Sequence, residues 1–153
     1  MNFQLKLLTS ASDLKLLDQI YNVTKSLEIC YPNHRHWFYN KFIKGLNSGQ
    51  RVALFAEKDN VVVGVVLLKC CEEEKKICTI FVDERYRNNG IGSSLLKKAF
   101  EILGTTKPFI TISKEKIKQF ENIIKKYDWS LVSIYKDLYT DGKEEWFYNE
   151  RKF

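Results

Sequence analysis

The sequence predicts an α/β fold: a mixed, mostly antiparallel central sheet with helices on both faces. Three observations predict it. Segments of strand and helix period alternate in the order β-α-α-β-β-β-α-β-α-β-β, which neither an all-α nor an all-β chain shows. The 153 residues are 44% hydrophobic and 14% aromatic, enough to fill a core. The chain carries no linker, internal repeat or low-complexity stretch, so residues 1–153 are expected to form a single domain.

The elements follow in order. Phe3 to Leu8 alternates apolar and polar residues and reads as a first strand. Ser10 to Asp13 supplies N-cap residues for a helix carrying Leu14, Leu17, Ile20, Tyr21, Val23 and Leu27. That helix ends before Tyr31-Pro32, because the residue before a proline disfavours helical backbone. Asn33 opens a second helix with Trp37, Phe38, Phe42, Ile43 and Leu46 on its apolar side, stopping at Asn47-Ser48-Gly49. Arg51–Glu57 and Val61–Cys71 are β-branched strands joined by a turn at Lys58-Asp59-Asn60. Lys75–Val82 forms the next strand, after the acidic turn Glu72-Glu73-Glu74. A loop from Asp83 to Gly90 leads into a helix ending near Leu103, with Leu95, Leu96, Ala99, Phe100 and Leu103 buried. Pro108–Ser113 is a short apolar strand, and Ser113 is placed to cap the helix Lys114–Tyr127. Trp129–Tyr139 and Glu145–Asn149 close the chain as a hairpin across Thr140–Lys143.

Composition limits the function classes. The longest apolar runs fall well short of the roughly 20 residues of a membrane span, and the N-terminus lacks a signal-peptide pattern. A cytoplasmic location is expected. Cys30, Cys70, Cys71 and Cys78 form no C-x-x-C pair, so reduced thiols are expected rather than a disulfide or a metal site. The net charge of +6 suits an anionic ligand. The lysines are scattered, so nucleic acid is the weaker expectation for a partner.

The segment Lys76–Leu103 carries the chemistry. A strand ends at Val82, a loop holds Gly90 and Gly92, and a helix begins there. The first N–H groups of a helix lack partners within it, and its dipole is positive at that end. Glycines let backbone approach a phosphate closely. A Walker A loop would need Gly-Lys-Ser/Thr, but Gly92 is followed by Ser93-Ser94. A Rossmann fingerprint would need a small third residue, and that position is Leu95.

The run Arg87-Asn88-Asn89-Gly90-Ile91-Gly92 resembles the Arg/Gln-x-x-Gly-x-Gly/Ala cofactor motif of the GNAT N-acetyltransferase superfamily. The preceding Val82–Tyr86, the following Ser93–Leu96 and the order of elements along nearly the whole chain match as well. The resemblance implies a GNAT-like fold and an acetyltransferase using acetyl-CoA, without a metal, to acetylate an amine. It implies that the amides of Arg87, Asn88, Asn89, Gly90, Ile91, Gly92, Ser93 and Ser94 hold the CoA pyrophosphate. Its pantetheine arm would pair with Ile80, Phe81 and Val82, in a gap between Phe81-Val82 and Phe109-Ile110. An N–H near Val82 would polarise the thioester carbonyl.

The chain departs from the family in two places. The family's frequent carboxylate base falls on Lys76, fourteen residues before Gly90. The family's late tyrosine falls on Ile124 when Asp128-Trp129 is matched to its Gly-Phe. Tyr127 either replaces that proton donor or is a core residue at the helix end. Glu72–Glu74 either supplies a base or is a solvated turn. His34 and His36 lie two apart, off a shared helix face, so they suit a base or a polar helix start better than a metal site. Trp146-Phe147-Tyr148 either walls the acceptor pocket or packs the sheet. The resemblance leaves the acceptor unidentified and the assembly a monomer or a homodimer. A CoA-binding module with weak catalysis and a tRNA- or protein-directed acetyltransferase are the alternative readings.

Overall fold

The computed structural model describes residues 2–150; Met1 and the last residues of the expected domain lie outside them. β1 (Gln4–Leu8), β2 (Arg51–Lys58), β3 (Val61–Cys70) and β4 (Lys75–Val82) form an antiparallel sheet in that order. β5 (Ile110–Ser113), β7 (Glu144–Tyr148) and β6 (Leu131–Lys136) form a second antiparallel sheet in the order β5-β7-β6. The sheets meet at one parallel bridge, Lys76 against Phe109. Ile77 N–H donates to Phe109 C=O at 3.0 Å, and Phe109 N–H donates to Lys75 C=O at 2.9 Å. The expected mixed, mostly antiparallel sheet is therefore present, hinged at its middle.

Helices cover both faces, as the patterning requires. α1 (Leu14–Thr24) is capped by Asp13, whose carboxylate accepts from Leu16 N–H at 3.0 Å. It buries Leu17, Ile20 and Tyr21, leaves Leu14 exposed, and tightens into a 3₁₀ turn at Lys25–Ile29. The second expected helix has three parts: α2 (His34–Trp37), a π turn (Phe38–Phe42) and α3 (Ile43–Asn47). The π turn rotates the buried stripe so that Phe38 and Phe42 stack at 5.5 Å. These helices pack on one face with Ala53, Phe55, Val65 and Leu67.

The other face carries α4 (Ile91–Leu103) and α5 (Ile117–Lys126). Leu95, Leu96, Ala99, Phe100 and Leu103 are buried, as the periodicity predicts. The apolar residues of α5 are only partly buried. Ser113 does not cap this helix: its side chain makes no cap bond, and a 3₁₀ turn at Lys114–Lys116 intervenes. The last strands begin and end within two or three residues of expectation. Trp129 lies outside β6, where its indole N–H donates to Thr106 C=O at 2.8 Å. Asp128 has φ +53°, the left-handed backbone that glycine favours, which accords with its match to the family's glycine.

Candidate functional site

The site is built where β4 leaves β5. Both strands start at the Lys76–Phe109 bridge and run the same way, but the described residues show no pairing between them beyond it. β3 pairs the other edge of β4 throughout, from Cys70↔Lys75 to Gly64↔Val82. The edge of β4 from Cys78 to Val82 therefore faces a slot. Phe109 is the hinge of that slot and not its wall; the opening lies farther along, between Thr79–Val82 and Thr111–Ser113. The expected gap at Phe109-Ile110 is corrected accordingly, because Phe109 spends its backbone groups on Lys75 and Ile77.

The loop after β4 is held in shape by its own side chains. Asp83 accepts from Arg85 N–H at 3.0 Å and pairs with the Arg85 guanidinium at 2.9 Å. This pairing keeps the Asp83 carboxyl below its ordinary value, through the Arg85 hydrogen bond first. Arg87 Nε donates to Val82 C=O at 3.0 Å, and its guanidinium lies 5.3 Å from the Phe81 ring centroid. Asn89 donates to Tyr86 C=O at 3.2 Å and Arg87 C=O at 3.0 Å. Asn88 (φ +64°) and Gly90 (φ +81°) take left-handed backbone and turn the chain into α4. The first intrahelical bond is Ser94 N–H to Gly90 C=O at 3.0 Å. The amides of Ile91, Gly92 and Ser93 thus precede any intrahelical acceptor, at the positive end of a 13-residue helix.

Two glycines set how close this helix comes. A Cβ on Gly92 would meet only Val82 Cγ2, at 3.7 Å, so the first turn keeps an open face. A Cβ on Gly64 would lie 3.0 Å from both Ile91 Cγ2 and Leu95 Cδ1. Gly64 pairs with Val82, so its missing side chain seats α4 against the end of β4. The loop motif pointed to Gly92, whereas nothing local in the sequence marks Gly64.

The structure thus brings Ile80, Phe81, Val82 and Arg87–Ser94 together around one slot. Their side chains differ in role: Ile91 is core, Ile80 and Val82 pack beneath α4, and Ser93 is exposed. Tyr127 lies elsewhere. It ends α5 and meets Phe100 edge-on at 4.8 Å. Phe100 is nine residues past Ile91, about 14 Å along a helix rising 1.5 Å per residue. Glu72–Glu74 lie at the turn before β4, the end away from Val82; Lys69 pairs with Glu74 at 3.3 Å.

Neither histidine faces the slot with a free ring. His34 is 6% exposed, with Nε2 at 2.8 Å from Thr24 Oγ1. It stacks against Tyr21 and Trp37, and burial pushes its pKa down. His36 meets the Asn40 amide at 3.2 Å on the outer surface. Trp146 and Tyr148 pack the sheet under α4 and α5, and Phe147 packs on Phe109.

Glu145 precedes these aromatics on β7 and faces away from Trp146 and Tyr148, on the same side as Phe147. It is 4% exposed, and the Tyr31 hydroxyl donates to its Oε1 at 2.8 Å. Burial raises the Glu145 pKa, partly offset by hydrogen bonds from Tyr31 and Thr111. Burial against this carboxylate also pushes the Tyr31 phenol far up, so Tyr31 stays a donor. Glu145 lines a cavity of about 190 Å³ with Ile29, Cys30, Ser113, Tyr139 and Thr140. Sequence reasoning missed this pair: the second residue of Glu144-Glu145, at the start of a strand, reads as a solvent-facing position. The only signal was Tyr31-Pro32, which fixes the chain end of the first helix region 114 residues away.

Among the described residues, no helix is long and apolar enough to cross a membrane, and no group of three or more His, Cys, Asp or Glu is placed to hold a metal. Cys30, Cys70, Cys71 and Cys78 are free thiols.

A splayed pair of strands with a glycine-turned helix N-terminus at its mouth defines the class of fold. The model of the acetyltransferase (GNAT) family matches residues 16–108, and the chain belongs to that family. The fold is shared with solved structures. A GNAT-family protein from Desulfovibrio desulfuricans is 15% identical over 96% of this chain and 97% of its own, with TM-score 0.74. An N-acetyltransferase from Staphylococcus aureus Mu50 is 14% identical over 97% of each chain, with TM-score 0.71. The PaiA N-acetyltransferase of Thermoplasma acidophilum, solved with coenzyme A, is 17% identical over 99% of this chain and 100% of its own, with TM-score 0.67. No curated protein matches the chain.

Proposed function

We propose that this chain, acting as one domain, transfers the acetyl group of acetyl-CoA to an amine. The observation that carries the reading is the edge of β4 from Cys78 to Val82, which pairs with no strand among the described residues and ends at the first-turn amides of Ile91, Gly92 and Ser93. An extended pantetheine arm fits that edge as an added strand. A pyrophosphate fits the helix end, with Arg87 beside it. Acetyl-CoA supplies an activated acyl carbon there. The chain's residues do the rest: backbone donors at the end of β4 stabilise charge on the carbonyl oxygen. Lys116 places a cation at the slot, 6.0 Å from the Phe81 ring centroid, where it can stabilise a departing thiolate. Titration calorimetry with acetyl-CoA, then thiol release over an amine panel, tests this. Absence of acetyl-CoA binding would remove the reading. Binding without turnover on any amine would favour a CoA-binding module instead.

A further inference from the structure

The Glu145 cavity deepens this reading and rests on it. We propose that Glu145 receives the ammonium of an aminoalkyl acceptor and takes its proton, with Tyr31 holding the carboxylate in place.

Four observations support this. First, a carboxylate has about four acceptor sites. Tyr31 and Thr111 use part of that capacity, which leaves sites for an ammonium. Second, β5 and β7 pair Ser113 with Glu145, so both point to the same face. Ser113 Oγ is buried without a hydrogen-bond partner and lines the same cavity. A buried hydroxyl with no partner is unfavourable, and an acceptor's N–H group would satisfy it. Third, the cavity adjoins the slot. Lys116 reaches over Phe81 of β4 and lies within the field of the Glu145 carboxylate. Fourth, the volume of about 190 Å³ is below the roughly 300–1,000 Å³ of sites for drug-sized ligands. It suits one aminoalkyl arm, with Ile29 and Tyr139 against its carbons.

The protons balance. The ammonium gives one proton to Glu145 and keeps the electron pair on nitrogen. That pair forms the C–N bond to the acetyl carbon as the C–S bond breaks, and sulfur keeps the C–S pair. The second nitrogen proton ends on the thiolate. Glu145 returns its proton to water, so one proton is released per turnover.

Several groups face Glu145: Cys30 and Tyr31 before α2, Lys76 on β4, Glu115 and Lys116 after β5, and Tyr135 on β6. Lys143 of the hairpin pairs with Glu115 at 3.4 Å. Burial raises the Glu145 pKa above the ordinary carboxylate value. The base form therefore appears as pH rises through that raised value, and the acid limb of kcat/KM lies there.

The test uses the full chain with phenethylamine and spermidine as probes. Glu145→Gln is expected to lower kcat/KM by about 10²–10⁴-fold and abolish the acid limb, with acetyl-CoA affinity unchanged. Tyr31→Phe is expected to move the limb upward, because it removes a hydrogen bond that favours the carboxylate. A second readout needs no turnover: carboxyl NMR of Glu145, titrated with and without n-butylamine, should show a lower pKa with the amine. A wild-type pH profile in Glu145→Gln would overturn the proposal, as would a Glu145 titration indifferent to every probe amine. Loss of acetyl-CoA binding by the wild-type chain would instead count against the function itself, while the NMR arm still decides the carboxylate.

Discussion

Gly92→Glu separates the ligand site from the fold, because the two effects have opposite signs. A Cβ at Gly92 meets only Val82 Cγ2 at 3.7 Å, an ordinary contact, so no clash opposes folding. Glycine in a helix is less favourable than glutamate by roughly 0.5–1 kcal/mol. A carboxylate in the first turn also favours the helix dipole by about 0.3–1 kcal/mol. The variant should therefore be as stable as wild type or about 1 kcal/mol more stable. For a pyrophosphate at the amides of Ile91–Ser93, the same carboxylate is a repulsive neighbour. Two unit charges 4 Å apart repel by about 4 kcal/mol at an effective dielectric of 20. Salt reduces this, leaving a loss of about 100- to 1,000-fold in affinity. Urea denaturation and acetyl-CoA calorimetry on the same sample read both effects. Unchanged affinity in a folded variant would refute the placement of the pyrophosphate.

Other expectations follow from single contacts. Gly64→Ala puts a methyl 3.0 Å from Ile91 and Leu95, so α4 must withdraw; denaturation should show a loss of about 1–3 kcal/mol, and acetyl-CoA should bind more weakly. Tyr127→Phe should leave kcat within about twofold in a steady-state assay, because its ring packs on Phe100 about 14 Å from the start of α4. Burial depresses the His34 pKa, so the unfolded chain binds the proton first as pH falls. Stability is then lost as pH falls below the unfolded value of about 6.5, with a slope of at most about 1.4 kcal/mol per pH unit. Denaturation between pH 5 and 7 should show this slope in wild type and a flatter one in His34→Gln.

The fold was legible where one residue's neighbours in sequence decide its fate. The stripe Leu95, Leu96, Ala99, Phe100 and Leu103 is buried because its helical spacing presents one face. Arg87 to Gly92 turns as read because the loop's shape comes from its own side chains and from left-handed backbone at Asn88 and Gly90. Legibility fails where distant packing decides. The π turn at Phe38–Phe42 satisfies ring stacking that the helical period does not record. Ser113 has the chemistry of an N-cap, yet pairing with Glu145 on β7 fixes its direction before the helix can use it.

The same reasoning relocates the chemistry. The family position for a carboxylate base holds Lys76, whose ammonium lies 5.1 Å from the centroid of the Phe109 ring at the hinge. A cation there leaves β4 without a base, and the acidic turn lies at the wrong end of the strand. A carboxylate must then reach the slot from another element. Glu145 does so from β7, the strand next to β5, where the two sheets join. Its burial raises its pKa toward the range where a base works, and Lys76 opposes the shift. Replacing Lys76 with glutamate would therefore place a second carboxylate near the first. By like-charge repulsion the Glu145 pKa should rise further, and the acid limb of kcat/KM should move up with it. If the limb moves down or stays fixed, Lys76 and Glu145 do not share a field, and the base must be sought away from this cavity.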